Sequence, residues 1–167
     1  VSAHPFTTNL HNHDVRITTH YGESIDSSIF SVIHETGHAL YELGIRDDLT
    51  QTLVGQGASM GMHECQSRFF ENIIGRNKAF WEPIFDTVAD MFGTPLKSVS
   101  LDAFIAAVNK TVPGLIRTEA DELSYALHVL VRYEIEKMMI EEDVEIDELP
   151  AIWNKKYEEY LGVSPKN

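Results

Sequence analysis

The sequence has little cysteine, little basic charge and no long apolar run, and each scarcity excludes a class of protein. A single cysteine, Cys65, cannot build an internal disulfide framework, and it fits a reducing cytoplasm. Lysine and arginine number 13 against 26 aspartates and glutamates, giving a formal net charge of −13. Because so acidic a chain repels phosphate backbones and anionic lipids, neither nucleic acid nor a membrane surface is an expected partner. No apolar stretch is long enough to span a bilayer.

The chain has enough apolar material for a packed core, since 43% of its 167 residues are hydrophobic. Apolar periodicity predicts a mainly α fold with one short strand at residues 15–19 as a small β element near the N-terminus. Asp26 or Ser27 is expected to cap the first helix, whose apolar stripe includes Leu40 and Leu43. The predicted helices end at or near residues 43, 74, 92, 109, 142 and 161.

The strongest motif is His34-Glu35-Thr36-Gly37-His38 in the first helix. Residues four apart lie one above the other on a helix, so His34 and His38 can bind one metal ion through two ring nitrogens. Glu35 projects beside that face, where a carboxylate can take a proton from a water molecule and later deliver it to a leaving amine. The pattern HExxH predicts a metallopeptidase site, although short motifs of this kind also occur by chance.

A catalytic zinc site needs a third protein ligand, and three glutamates compete for that role. Glu42 shares the histidine face but lies a further turn along a rigid helix, which leaves it at most a supporting role. Glu64 lies near the start of the second helix, after a glycine-rich loop that allows an antiparallel return to the histidines. Glu71 is the alternative, two turns further along the same helix. We therefore predict Glu64 as the third ligand, and its neighbour Cys65 as a buried small hydrophobe.

Two arginines have ambiguous roles when they are considered on local sequence alone. Arg117 precedes the long helix, and its guanidinium could bind a substrate carboxylate or form ordinary surface ion pairs. Arg16 could lie near the site or protect a strand edge. The irregular spacing of His4 and the three histidines that follow is typical of solvated loops.

In order along the chain, five motifs resemble those of the carboxypeptidase Taq family of metallocarboxypeptidases. HPF matches His4-Pro5-Phe6, DxRxT matches residues 14–18, HExxH matches residues 34–38, the HESQ-like motif matches His63-Glu64-Cys65-Gln66, and IRxxAD matches residues 116–121. Cys65 departs from the small hydroxyl residue usual in the fourth motif. The resemblance predicts a helical, zincin-like catalytic segment of a cytoplasmic homodimer that uses zinc, or cobalt, to release single residues from peptide C-termini with broad specificity.

The resemblance also implies a role for individual residues. His34, His38 and Glu64 would be the metal ligands and Glu35 the general base. Arg117 would bind the terminal carboxylate of the substrate. The remaining implied roles are substrate contact for His4 and Arg16, and support of the site for Gln66 and Asp121.

Two other functions fit part of the sequence. A zinc endopeptidase could share the same ligands but would have no use for Arg117. A non-catalytic helical metal-binding module would normally close its site with four ligands, whereas only three good ones are found. We expect residues 1–167 to be one segment of a longer enzyme, lacking a large N-terminal part and the family's final GxxQDxHW motif, so that metal binding would survive but turnover would not.

Overall fold

A computed structural model describes residues 2–22, 25–142 and 144–164, without the side chains of residues 25 and 26. The chain divides into two compact units, Val1–Val108 and Asn109–Asn167. The architecture is mainly α with one two-stranded sheet, which confirms the predicted fold class. None of the helices described in these residues combines the length and the apolar character needed to cross a membrane.

The first unit opens with a β-hairpin that packs against the first helix. Strands β1 (Phe6–His11) and β2 (Asp14–Thr18) pair antiparallel, with Phe6 opposite Thr18 and an irregularity between Asn9 and His11. Only the second strand was predicted. The first has polar residues at several positions, but its main chain pairs with β2 and its side chains reach helix α1, which no local pattern could indicate.

Helices α1 (Ile25–Leu43) and α2 (Met60–Arg68) lie against each other and carry the predicted metal motifs. Ser59 caps α2 by accepting a hydrogen bond from the main-chain NH of Met62. Gly37 makes the close approach possible, since a Cβ there would lie 2.6 Å from the Cα of Ser67. Beyond Arg68 the helix continues as a π-helix, Phe69–Ile74, a form that is often found at functional sites.

The rest of the first unit encloses an aromatic core. Helices α3 (Lys78–Trp81) and α4 (Phe85–Phe92) replace one predicted helix, because Pro83 in the intervening segment interrupts helical hydrogen bonding. Two further helices follow, α5 (Thr94–Lys97) and α6 (Leu101–Val108). The core consists of Phe30, Trp81, Phe85, Ala89, Leu96 and Phe104.

The second unit is built on helices α7 (Glu122–Glu141) and α8 (Leu149–Leu161). Short 3-10 turns precede each of them, at Arg117–Glu119 and Ile146–Glu148. Val131, Ile135, Tyr157 and Leu161 form its buried cluster. Helix α7 begins three residues later than the sequence predicted, because Asp121 caps it.

Two local predictions were wrong. Cys65 is exposed, because its neighbours Glu64 and Ser67 occupy the side of α2 that faces α1. Leu40 and Leu43 are 42% and 47% exposed, and Phe30 and Ala39 supply the buried hydrophobic side chains of α1 instead. The first helix begins at Ile25, and the capping prediction rests partly on the side chain of Asp26, which lies outside the described part.

Candidate metal centre

The three predicted ligands come together where α1 faces α2. Oε2 of Glu64 lies 3.5 Å from Nε2 of His34 and 3.4 Å from Nε2 of His38. The potential ligand atoms of these three residues all lie within 4.8 Å of one another. The antiparallel return of α2 along α1 therefore juxtaposes the histidine pair and the glutamate.

The spacing of these atoms fits a small divalent cation. Tetrahedral coordination at metal–ligand distances of about 2.1 Å separates ligand atoms by about 3.4 Å. Imidazole nitrogen and carboxylate oxygen are common ligands of zinc, and three protein ligands leave a position free for water or substrate. The donor set and its spacing could therefore hold a metal ion and would leave a position open, as in catalytic sites.

The outer nitrogen of His34 is held by a carboxylate. Nδ1 of His34 lies 2.8 Å from Oε2 of Glu71, which also accepts a hydrogen bond of 3.0 Å from Nη1 of Arg68. This contact would leave Nε2 of His34 for a metal ion, which is the usual arrangement of a ligating histidine. Glu71, the alternative third ligand, contacts Nδ1 of His34 and is not part of the group of candidate ligand atoms that includes Glu64.

The protonation of the metal-free cluster follows from these contacts. Burial lowers the pKa of His34, but hydrogen bonds and charge from Glu64 and Glu71 outweigh it and raise that pKa to about 9. Burial raises the pKa of Glu64, but His34 and Arg68 lower it to about 2. The pKa of His38 is lowered by burial and by the neighbouring rings of His34 and His63. A cation would therefore displace a proton from His34.

The Nδ1 nitrogen of His38 contacts a histidine of α2, His63. Nδ1 of His38 lies 2.7 Å from Nδ1 of His63, whose Nε2 lies 2.6 Å from Oε1 of Glu42. Asn9 donates a hydrogen bond of 2.7 Å to the other oxygen of Glu42. Glu42 therefore contacts His63 and lies outside the group of candidate ligand atoms, which is compatible with the supporting role, at most, that the sequence left to it.

The proposed base, Glu35, is buried, with 7% of its surface exposed. The hydroxyl of Thr7 on β1 lies 2.7 Å from Oε2 of Glu35 and 2.9 Å from its main-chain oxygen. Contact with the hydroxyl orients the carboxylate and leaves its second oxygen for another partner. The charge of Glu35 also acts on His38, so the base and the ligand are electrostatically coupled.

The other predicted residues of the first unit have fewer contacts. Gln66 lines a cleft of about 480 Å³ together with Tyr41. His4 is exposed, and its Nδ1 lies 2.9 Å from the carbonyl oxygen of Pro5. Arg16 donates two hydrogen bonds of 2.8 Å to the carboxylate of Asp14. These contacts do not test their predicted roles.

Arg117 and Asp121 lie in the second unit. Arg117 donates a hydrogen bond of 2.6 Å to the hydroxyl of Tyr125, and its guanidinium lies 5.5 Å from the centre of that ring. Asp121 accepts from the main-chain NH groups of Leu123 and Ser124 and so caps α7. Burial raises the pKa of Asp121, but these hydrogen bonds lower it below its usual value.

Two residues close to the site, Thr7 and His63, received no role from the sequence. The signal for His63 was its place directly before Glu64, in a motif of which only the glutamate and the glutamine were assigned. Thr7 carried no signal, because its contact with Glu35 spans 28 residues and depends on the packing of β1.

Several known carboxypeptidases are similar to this chain in sequence or in structure. Carboxypeptidase 1 of Bacillus subtilis (strain 168) is 48% identical over 166 residues, which cover 99% of this chain and 33% of that protein. Thermostable carboxypeptidase 1 of Thermus thermophilus is 45% identical over 167 residues, covering 99% and 32%. The M32 carboxypeptidase structure from Deinococcus radiodurans R1 matches with a TM-score of 0.94 at 41% identity, covering 99% of this chain and 34% of that one.

The HExxH helix of this mainly helical unit faces a glutamate on the next helix, a donor set typical of one class of metallopeptidases. The family model described as carboxypeptidase Taq (M32) metallopeptidase matches residues 1–167. The chain belongs to that family, as the five motifs predicted. It spans about a third of the length of the curated relatives that it matches.

Proposed function

We propose that this chain carries the metal site of a metallocarboxypeptidase, which removes single residues from the C-termini of peptides with broad specificity. The observation that carries the proposal is the meeting of His34, His38 and Glu64 at ligand spacing. Membership of a metallopeptidase family supports a divalent metal. Zinc is the preferred ion because of the donor set, with cobalt as a substitute.

The chain's own residues supply the proton transfers. His34, His38 and Glu64 would hold the divalent cation, which would polarise a peptide carbonyl and lower the pKa of bound water. Glu35 accepts the proton of the attacking water at the carboxylate oxygen that faces away from Thr7, and then donates it to the leaving amine. The hydroxyl of Thr7 keeps the carboxylate oriented during both transfers, and burial of Glu35 keeps competing water away.

Selectivity for a free C-terminus is assigned to Arg117. A guanidinium offers parallel donors that match a carboxylate, and contact with Tyr125 restrains its orientation. His4 and Arg16 are further substrate contacts on the basis of their HPF and DxRxT motifs, while Gln66 and Asp121 support the site. The full-length protein is proposed to act as a cytoplasmic homodimer, and residues 1–167 alone to bind the metal without efficient turnover.

The test is a pair of assays on the full-length protein. One peptide is offered with a free C-terminus and again with an amidated one, before and after removal of the metal with a chelator. Metal-dependent release of single terminal residues from the free acid alone supports the proposal. Equal cleavage of both peptides at internal bonds would instead identify an endopeptidase, and absence of hydrolysis together with tight metal binding would identify a binding module.

A further inference from the structure

The two histidines of the candidate metal centre are supported in different ways. His34 meets a carboxylate directly, through the contact of 2.8 Å with Glu71. His38 instead meets the ring of His63 at 2.7 Å, and the carboxylate of Glu42 lies one ring further out, 2.6 Å from His63. The α1–α2 interface therefore inserts an additional imidazole between a ligand and its carboxylate.

The position of the hydrogens in the series of contacts from His38 through His63 to Glu42 follows from the carboxylate at its outer end. Two Nδ1 atoms 2.7 Å apart share one hydrogen, so one ring donates and the other accepts. The carboxylate of Glu42 only accepts, so the Nε2 of His63 that faces it carries a hydrogen, and a ring with this single hydrogen offers a bare Nδ1. His38 must then carry its hydrogen on Nδ1, which leaves Nε2 bare on the side of Glu64.

The ring of His63 is also enclosed so that it cannot easily turn away. The ring of Tyr41 lies against it, with the ring centres 4.7 Å apart. On another side is Gly57, where a Cβ would lie 2.9 Å from Cδ2 of His63. The carboxylate of Glu42 is itself buried and held by Asn9. These contacts fix the orientation of the imidazole as well as its hydrogen.

We propose that His63 is a positioning residue, which holds the ligand His38 in the tautomer that presents Nε2 to the metal, and that Glu42 in turn orients His63. The inference rests on the proposed function, because it assumes that His34, His38 and Glu64 bind a divalent ion. It assigns a role to the first residue of the His63-Glu64-Cys65-Gln66 motif, whose glutamate is the predicted ligand.

The first experiment compares two substitutions in the full-length protein. His63→Asn keeps an acceptor oxygen near the position of Nδ1, whereas His63→Leu removes every acceptor from a side chain of similar bulk. Loss of a contact that orients a ligand typically costs about 10–100-fold in metal affinity. We expect the dissociation constant for Zn²⁺ to rise by that factor in the leucine variant, and by clearly less in the asparagine variant, which keeps the acceptor.

Matched measurements separate positioning from a general structural role. His13→Leu removes an exposed histidine that pairs with Asp47, and it should leave zinc affinity unchanged. The d–d absorption spectrum of the cobalt-loaded protein should change in His63→Leu but not in His63→Asn or His13→Leu. Equal zinc affinity in wild type and His63→Leu would overturn the inference, as would equal losses in the leucine and asparagine variants.

A second measurement needs no variant and remains decisive if His63→Leu does not fold. Nitrogen-15 spectra of the histidine-labelled, zinc-loaded wild type should show hydrogen on Nδ1 of His38 and on Nε2 of His63. Hydrogen on Nδ1 of His63 would overturn the inference while leaving the metal site intact. Failure of the wild type to bind zinc through His34, His38 and Glu64 would instead refute the proposed function, and this inference with it.

Discussion

Replacing Gly37 with alanine should force α1 and α2 apart. A Cβ at this position would lie 2.6 Å from Cα of Ser67 and 2.8 Å from the carbonyl oxygen of Gln66. Ordinary van der Waals contact begins near 3.4 Å, so the two backbones must separate by about 0.8 Å. Rotation of a side chain cannot relieve the clash, because both contacts are to main-chain atoms.

The separation reaches the candidate metal centre because its ligands lie on both helices. His34 and His38 belong to α1 and Glu64 to α2, whereas metal–ligand distances tolerate changes of only about 0.2 Å. We expect Gly37→Ala to bind zinc at least about tenfold more weakly, as for other disturbances of ligand orientation. Overpacking costs about 1–3 kcal/mol, and the better helix propensity of alanine recovers about 1 kcal/mol of this cost. The free energy of unfolding of the metal-free protein should therefore fall by about 0–2 kcal/mol.

The assay is a zinc titration of the metal-free, full-length protein, combined with denaturant unfolding. Gly61→Ala is the matched control, because a Cβ at this position of α2 meets only the hydroxyl of Ser59, at 3.7 Å. This control should bind zinc as the wild type does and should be no less stable. Wild-type zinc affinity in Gly37→Ala would refute the reasoning that this close approach sets the ligand geometry.

Four further substitutions or titrations test separate parts of the account. Because the pKa of His34 is about 9 in the metal-free protein, zinc must displace its proton below that pH. Apparent zinc affinity should rise about tenfold per pH unit from pH 6 to 8 with release of one proton, and calorimetry that shows no proton release would contradict this. Glu35→Gln should keep zinc and lose at least about 100-fold in turnover, the lower range for a general base, and metal analysis combined with single-turnover hydrolysis checks both. Arg117→Ala should lose about tenfold to a hundredfold in kcat/KM on free-acid peptides, as for a lost charge-assisted hydrogen bond, and an unchanged value would remove it from the substrate site. Asp121→Ala should lower the free energy of unfolding by about 1 kcal/mol through loss of the α7 cap, and Asp121→Asn should restore much of it in denaturant titrations.

The sequence predicted what depends on local periodicity. The spacing of His34 and His38 follows from one helical turn, and the choice of Glu64 required only an antiparallel return after a glycine-rich loop. The histidine spacing needed no knowledge of distant contacts, and the choice of Glu64 needed only the direction of the next helix.

What the sequence could not predict depends on contacts between elements. The hydroxyl of Thr7 reaches Glu35 only because an unpredicted strand pairs with β2 and packs on α1. The assignment of Cys65 to the interior failed because the side of α2 buried against α1 was already occupied by Glu64 and Ser67. Glu71 reaches His34 from a π-helical segment, whose onset no local propensity indicates.

The central claim is that His34, His38 and Glu64 bind one divalent cation, and anomalous diffraction from crystals of the zinc-loaded, full-length protein tests it most directly. The account predicts a single strong peak at the zinc absorption edge, about 2.0–2.2 Å from Nε2 of both histidines and from a carboxylate oxygen of Glu64. Glu71 and His63 should remain outside the coordination sphere. A zinc ion bound by Glu71 in place of Glu64, or the absence of a peak between α1 and α2, would contradict the account.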